Sequence, residues 1–310
     1  MISKTSHNIK SLNSFKLFEL KYKTADMNCE YLWAFNSQLW QPTKRQLVLA
    51  LSALCKEEIN RINQFRFQDD YKLCLSGRLM IRKCLQYVTH IKWNNLLLNR
   101  SPKGKPVLLN SLKNSEKVFF NISHQGDFTV LAASTRFNVG IDIMKNVKPN
   151  STDVSSFFKL MKRQFVDPEW SYILSHKCES SQLKAFYRLW CLKESYVKAT
   201  GTGIGTNTAS YMRFDIPDEG LLANENEVKP FTESSLYVNN QKQGWTFHEY
   251  QLDDKHIAAI AFDTESADLA STPFSFLSIE ELLNDAIEIN EPDEKWWDFY
   301  LSKHKKDITE

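Results

Sequence analysis

Helical and strand-like segments occur in two successive blocks along the chain, and this order restricts the fold more than any other feature of the sequence. Apolar positions at helical spacing predict helices at residues 43–59, 67–90, 153–163, 168–176 and 180–200. Alternating or β-branched runs predict strands at 15–22, 30–36, 118–122, 128–134, 139–144, 211–216, 236–238, 245–251 and 256–262. Ser180 and Ser181 are candidate caps of the helix at 180–200, and Gly201 should end it. Helices followed by strands, twice, predict an α+β fold with two similar-sized halves.

The length of the chain fits this division. With 310 residues and about 150 residues per domain, roughly two domains are expected. We predict a flexible N-terminus at residues 1–14, an N-terminal lobe at 15–136, a C-terminal lobe at 137–262 and an acidic C-terminal extension at 263–310. The extension contains one strand-like stretch at 274–278 and one predicted helix at 279–287.

Charge is nearly balanced overall but unevenly distributed. The net charge of +2 argues against a protein that coats nucleic acid. Residues 61–105, however, carry ten Lys and Arg and only two acids, whereas residues 263–310 carry thirteen acids and four lysines. The basic segment indicates a local anionic ligand or an acidic partner, and a solvated helix face remains the simpler alternative.

Cysteines and apolar runs bear on the compartment. The six cysteines show no CxxC or zinc-like spacing, so we interpret them as reduced thiols of a cytosolic protein. The first ten residues lack an apolar signal core, and no apolar run is long enough to span a bilayer. We therefore expect a cytoplasmic monomer that binds neither membrane nor nucleic acid.

Glycine is scarce, and six of the nine glycines fall between residues 104 and 205. This region also contains the residues best suited to chemistry. On the predicted strand at 139–144, Asp142 stands between two isoleucines, where a carboxylate is costly unless it is paired or binds a metal. On the helix at 180–200, Trp190, Glu194 and Lys198 recur every four residues and share one face.

Two carboxylates and nearby cations suit a metal–phosphate ligand. Asp142 and Glu194 together would provide the oxygen ligands that Mg²⁺ takes beside substrate phosphates, although Glu194 and Lys198 also fit an ordinary surface pair. Arg61 and the loop at 100–105 offer cations for the phosphates, and His124 is either a further contact or a surface residue. The residues alone predict a Mg²⁺-dependent enzyme that acts on a phosphorylated ligand.

Four ordered motifs resemble one family. Gly104-Lys-Pro106, Phe120-Asn-Ile-Ser-His124, Gly140-Ile-Asp142 and the stretch from Trp190 to Gly201 are similar to the two-lobed, surfactin-type 4′-phosphopantetheinyl transferases, especially their animal cytosolic subgroup. The resemblance covers roughly residues 15–262. It implies two α/β lobes related by a pseudo-twofold axis, with coenzyme A as co-substrate and Mg²⁺ as cofactor in the cleft between them. It also implies transfer of phosphopantetheine to a serine of apo acyl carrier protein domains, with release of adenosine 3′,5′-bisphosphate.

The resemblance also assigns roles to residues. Asp142 and Glu194 would be the metal ligands and, with Lys198, the catalytic residues. Glu194 would act as base, directly or through water, and Lys198 would contact the α-phosphate. His124 would lie at the 3′-phosphate. The coenzyme A contacts implied by the motifs are Arg61, Arg100, Ser101, Pro102, Lys103, Gly104, Lys105, Asn121, Ile122, Ser123, His124, Asp142, Glu194 and Lys198.

One position departs from the family pattern. Many members carry a third carboxylate where this chain has Met144, so phosphate oxygens and waters would complete the metal shell, with Gln125 as an outer partner. The resemblance leaves the carrier open among fatty-acid synthase, aminoadipate reductase and formyltetrahydrofolate dehydrogenase. Two other hypotheses remain: a non-catalytic basic module that binds an acidic protein or RNA, and a coenzyme A-dependent acyltransferase.

Overall fold

The computed structural model describes residues 30–112, 117–149, 153–203, 211–217, 230–265 and 272–306. Within these ranges the chain forms eight α-helices and twelve β-strands, which confirms the predicted α+β class. The helices are α1 (Lys44–Ser52), α2 (Lys56–Asn63), α3 (Gln68–Thr89), α4 (Val154–Leu160), α5 (Asp167–Ser175), α6 (Glu179–Thr200), α7 (Ile279–Leu283) and α8 (Lys295–Leu301). The strands are β1 (Glu30–Asn36), β2 (Leu98–Arg100), β3 (Pro106–Leu108), β4 (Phe119–Gln125), β5 (Phe128–Ser134), β6 (Val139–Lys145), β7 (Met212–Asp215), β8 (Ser235–Val238), β9 (Gln241–Lys242), β10 (Thr246–Gln251), β11 (His256–Phe262) and β12 (Ser275–Phe276).

Two sheets organise the described chain. The first has the order β12-β1-β5-β4 and the second the order β10-β11-β6. In the first, β1 and β5 run antiparallel with Trp33 opposite Leu131. The short strand β12 returns from the end of the chain and pairs parallel with β1, with Ser275 opposite Trp33. Two further small sheets are β2-β3 and β7-β8-β9.

Strand alternation divides the apolar residues of the sheets between three clusters. Trp33 and Leu131 face the first cluster, which is shared with helices α1 to α3, whereas Ala259 faces the second, which is shared with α6. The opposite faces of both sheets meet in a third cluster, to which Val130 and Ile141 belong. Because apolar neighbours cover both faces of these strands, their sequences read as almost continuous apolar runs.

Three predictions about helices need correction. The helix predicted at 43–59 is two helices, α1 and α2, separated by a turn in which the Trp93 indole donates to the carbonyl of Ala53 at 2.7 Å. The predicted caps Ser180 and Ser181 lie inside α6, because its N-cap is Cys178. Helix α8 was not predicted. The end of α6 at Gly201 is confirmed, since Gly201 takes a left-handed conformation with φ of 66°.

Some predicted features fall outside the described residues, namely the flexible N-terminus at 1–14 and the strand at 15–22. None of the described helices combines the length and apolar character that crossing a membrane requires. Five cysteines are described, all as free thiols, and Cys74, Cys84 and Cys191 are buried.

Candidate active site

Strand β6 and helix α6 approach each other so closely at Gly140 that no side chain fits between them. A methyl carbon placed on Gly140 would lie 2.8 Å from the Cα of Ala199 and nearer still to the carbonyl oxygen of Ser195. Asp142 follows Gly140 on the same face of β6, and Lys198 precedes Ala199 on α6. The missing side chain at Gly140 therefore brings the carboxylate and the ammonium group together.

Asp142 is the centre of a small buried polar group. Its Oδ1 lies 2.5 Å from Lys198 Nζ and accepts a hydrogen bond from Ser123 Oγ at 2.8 Å. Lys198 Nζ also donates to Ser123 Oγ at 2.7 Å. The residue Asp142 is only 4% exposed, and its Oδ2 is buried without a hydrogen-bond partner among the described residues. A buried acceptor that lacks a partner is uncommon, and a bound water or ion is one way to satisfy it.

Glu194 supplies the second carboxylate, one turn before Lys198 on α6. Burial raises the pKa of Glu194 to about 7, the negative charge of Asp142 adds to this rise, and Lys198 opposes it. The two carboxylates therefore lie close enough to repel each other, and a divalent cation between them would relieve that repulsion.

The donor set fits a hard cation with few protein ligands. The described residues contain no group of three or more His, Cys, Asp or Glu side chains that could hold a metal. Met144 lies beyond Asp142 on the same face and packs in the apolar cluster around α6. Mg²⁺ is typically bound by one or two carboxylates, with phosphate oxygens and water in the remaining coordination positions.

Strand β4 presents alternate residues to the side on which Asp142 lies. Asn121 Oδ1 accepts a hydrogen bond from the backbone of Ile141 at 3.1 Å, and Gln125 Oε1 accepts one from the backbone of Lys145 at 2.6 Å. Ser123 lies between them and bonds Asp142. These side chains connect the adjacent edges of β4 and β6. Gln125 thus has a structural partner that the sequence did not indicate.

The intervening residues of β4 face helix α3 instead. A methyl carbon on Gly77 of α3 would meet the side chain of Ile122 at 3.1 Å. His124 lies on the same side and is solvent-accessible. Loss of hydration lowers the pKa of His124, and the positive charges of Lys198 and Arg78 lower it further. Two nearby carboxylates oppose this effect, so His124 lies among charges of both signs.

Arg78 is a candidate that the sequence reasoning missed. It lies on α3, next to Gly77, and its Nε is buried without a hydrogen-bond partner among the described residues. Arg61, at the last turn of α2, is exposed. Burial raises the pKa of the Cys74 thiol, and the charges of Arg78 and Arg61 oppose that rise, so both guanidinium groups lie near Cys74. Arg61 and Arg78 thus both lie near Cys74, and Arg78 also lies near His124.

The loop at 100–105 closes the hairpin between β2 and β3 and reaches the end of α6. Lys103 Nζ donates to the carbonyl of Thr202 at 3.0 Å, and Lys105 Nζ donates to that of Ala199 at 3.4 Å. Burial lowers the pKa of Lys105. Cations at a helix C-terminus are favourable, and these two bring the loop next to Lys198.

The shape of the loop depends on its glycine. Gly104 takes a φ of 84°, which few other residues adopt, and its N–H donates to the carbonyl of Ser101 at 2.8 Å. The Arg100 guanidinium donates to the carbonyl of Gly104. Pro102 is exposed at the tip. Of the predicted loop residues, the structure brings Lys103 and Lys105 nearest to α6.

Three cations of the basic segment serve the fold rather than a ligand. Arg82 pairs with Glu58 at 2.6 Å, Lys83 pairs with Asp285 at 2.8 Å, and Lys72 donates to the carbonyl of Trp40 at 3.3 Å. All three side chains are buried. The basic segment therefore presents fewer charges to a ligand than its composition suggests.

Two adjoining family models match this chain. Residues 38–136 match the N-terminal model of 4′-phosphopantetheinyl transferases, and residues 138–261 match the 4′-phosphopantetheinyl transferase superfamily. The chain belongs to this superfamily. This transferase is therefore an enzyme, as the motifs predicted.

Curated relatives agree with this assignment. The transferase is 37% identical over 282 residues to the L-aminoadipate-semialdehyde dehydrogenase-phosphopantetheinyl transferase of Homo sapiens, covering 86% of this chain and 90% of the relative. The protein of the same description from Xenopus laevis is 35% identical over 283 residues, with 88% and 92% covered. A phosphopantetheinyl transferase from a Thraustochytrium species is 30% identical over 247 residues, with 78% and 81% covered. The expected resemblance to the animal subgroup is confirmed.

Proposed function

We propose that this transferase moves the 4′-phosphopantetheine group of coenzyme A to a serine hydroxyl of an apo acyl carrier protein domain and releases adenosine 3′,5′-bisphosphate. The observation that carries the proposal is the pairing of a buried carboxylate, Asp142, and a half-buried one, Glu194, with one ammonium group. Asp142 Oδ1 lies 2.5 Å from Lys198 Nζ. Burial raises the pKa of Glu194 to about 7, and the negative charge of Asp142 adds to this rise. This arrangement suits a metal-assisted transfer of the phosphopantetheine group from the pyrophosphate of coenzyme A to a serine hydroxyl.

Asp142 and Glu194 would hold Mg²⁺, because one oxygen of Asp142 is buried without a partner among the described residues and the two carboxylates repel each other. When bound, the cation neutralises charge on the phosphate oxygens, as in other phosphoryl transfers. Lys198 would add a positive charge beside the same oxygens. The residues proposed to bind the rest of coenzyme A are Arg61, Arg100, Ser101, Pro102, Lys103, Gly104, Lys105, Asn121, Ile122, Ser123 and His124.

The reaction is a single displacement at phosphorus. The carrier serine oxygen forms a bond to the phosphorus that bears the pantetheine arm, and the bond from that phosphorus to the bridging pyrophosphate oxygen breaks. Glu194 would accept the serine proton, directly or through a water molecule. Lys198 stabilises the negative charge that develops on the departing bisphosphate.

We also propose the arrangement of the lobes, the cellular location and the carriers of the reaction. The two lobes would be related by a pseudo-twofold axis, with coenzyme A in the cleft between them, in a cytosolic monomer. The carriers would be of the fatty-acid synthase and aminoadipate reductase types. The names of the animal relatives, which refer to L-aminoadipate-semialdehyde dehydrogenase, support the second of these.

A mass-shift assay tests the proposal. The protein is incubated with coenzyme A, Mg²⁺ and several apo carrier proteins, and intact carriers are weighed by mass spectrometry. We expect each substrate carrier to gain the mass of one phosphopantetheine group, and this gain should disappear with excess EDTA and return with added Mg²⁺. A carrier that gains only an acyl group, while coenzyme A stays whole, would support the acyltransferase alternative. No gain on any carrier, together with tight and salt-sensitive RNA binding, would support the binding module.

A further inference from the structure

Residues 302–306 lie along the junction between α2 and α3. We call residues 302–306 the terminal segment. The backbone N–H of His304 donates to the carbonyl of Arg66 at 3.2 Å, and the carbonyl of His304 accepts from the backbone of Gln68 at 2.9 Å. Phe67 and His304 thereby form a parallel bridge between the junction and the terminal segment. This segment closes the gap between the last residue of α2, Asn63, and the start of α3.

Lys303 of the terminal segment caps the end of α2. Its Nζ donates to the carbonyl of Asn63 at 2.9 Å and to that of Phe65 at 2.6 Å. The last carbonyls of a helix have no partner within the helix, and a cation there is favourable. Arg61 stands in this last turn, so Lys303 fixes the part of α2 from which Arg61 extends.

Lys306 of the terminal segment neutralises an acid on α3. Its Nζ lies 2.7 Å from Asp70 Oδ1. Asp70, Cys74 and Arg78 follow one another at intervals of four residues and share a face of the helix. Helix α3 packs against β4 next to His124, where a methyl carbon on Gly77 would lie 3.1 Å from the Ile122 side chain. From this helix, the charges of Asp70 and Arg78 affect the pKa of His124 in opposite directions. Asp70 is thus an acid among Arg78 and His124, two groups suited to an anion.

We infer that the terminal segment forms part of the subsite for the 3′-phosphate of coenzyme A: Lys303 positions Arg61, and Lys306 cancels the charge of Asp70 beside His124 and Arg78. This inference rests on the proposed function, which assigns His124 to that phosphate. Without Lys306, the carboxylate of Asp70 would repel a dianionic phosphate bound next to it. Without Lys303, the last turn of α2 would no longer be fixed, and Arg61 would lose its orientation.

Two ligands that differ only in this phosphate test the inference. Dissociation constants for coenzyme A and for 3′-dephospho-coenzyme A are measured by calorimetry on the full chain. Lys306→Met should weaken coenzyme A binding by about fivefold, because a partly exposed pair is worth up to about 1 kcal/mol. It should leave 3′-dephospho-coenzyme A binding unchanged. Adding Asp70→Asn to Lys306→Met should restore the wild-type value.

Lys303 is tested in the same way. Lys303→Met should weaken binding of coenzyme A but not of 3′-dephospho-coenzyme A, and Lys303→Arg should restore it. The matched control is Lys44→Met, which removes the 2.7 Å pair between α1 and Glu294 of the same extension and should change neither constant.

Three outcomes would overturn the inference. They are equal weakening for both ligands, no weakening in either variant, or a double variant Asp70→Asn with Lys306→Met that binds no better than Lys306→Met alone. Equal weakening accompanied by a lower melting temperature would show that the segment supports only the fold. These measurements need no carrier protein, so the binding constants decide this inference separately. A wild-type chain that binds coenzyme A but modifies no carrier would contradict only the proposed function.

Discussion

Replacing Gly140 by alanine should separate β6 from α6 and thereby disable the site. The added methyl carbon would stand 2.8 Å from the Cα of Ala199, roughly 0.7 Å inside the 3.5 Å lower end of the favourable separation between carbon atoms. Since its other close neighbours are backbone atoms of Ser195 and Ala199, no side-chain rotation relieves the contact and the helix has to move. Overpacking of this kind costs about 1–3 kcal/mol of unfolding free energy.

The same displacement acts on catalysis. Lys198 adjoins Ala199, so a helix shift of this size lengthens its 2.5 Å contact with Asp142. A misplacement of about 1 Å lowers rates on the order of a hundredfold. Urea unfolding gives the stability, and the initial rate of carrier modification gives the activity, with coenzyme A near saturation.

Gly77→Ala is the matched control for this prediction. Gly77 is also buried against a strand, but its nearest neighbour would be the mobile end of the Ile122 side chain at 3.1 Å. Alanine also favours the helix by about 1 kcal/mol over glycine, so this variant should keep its stability. A Gly140→Ala protein with wild-type stability and rate, or one no worse than Gly77→Ala, would refute the reasoning.

Three further predictions concern charge. Asp142→Asn should abolish carrier modification while circular dichroism and melting temperature stay near wild type; activity within twofold of wild type would exclude its proposed role. In EDTA, Glu194→Gln should raise the free energy of unfolding by about 2 kcal/mol at pH 8 but not at pH 4. The reason is that the native pKa of Glu194, near 7, makes the wild type lose stability as pH rises from 4.5 through 7. Urea curves that coincide for variant and wild type at both pH values would contradict this. Arg188→Met should cost about 3–5 kcal/mol, since it leaves Glu249 buried and unpaired, whereas Lys148→Met removes only an exposed pair and should cost under about 1 kcal/mol; equal losses in urea unfolding would be inconsistent with the burial argument.

The parts of the fold that rest on local pattern were predictable. Helix α6 has sustained helical periodicity and a glycine stop, and strands β5 and β6 carry long β-branched or apolar runs. The break between α1 and α2 was not, because neither glycine nor proline interrupts residues 43–59 and the turn depends on Trp93, forty residues away. The pairing of β12 with β1 joins residues 242 positions apart at Trp33 and Ser275, and no local signal announces such a contact.

The site was predictable to a similar degree. A carboxylate between two isoleucines indicated Asp142, and a four-residue spacing indicated Glu194 with Lys198. Because side chains alternate along β4, Asn121 and Ser123 lie on one face and Ile122 and His124 on the other, although the sequence motif contains all four. Arg78 was missed because a helix face packed by a neighbouring strand cannot be recognised from one sequence, and the amphipathic pattern of α3 distinguishes only its main apolar stripe.

The pairing of β12 with β1 also has a consequence for the order in which the newly made chain can fold. The second sheet has all its strands once Phe262 has left the ribosome, but the first sheet lacks its fourth strand until Phe276 emerges. At about 5–20 residues per second, the 142 residues from Ser134 to Phe276 take roughly 7 to 28 seconds to synthesise. During that interval the edge of β1 stays open, so translation speed through the second half decides how long an unpaired strand edge is exposed to other nascent chains.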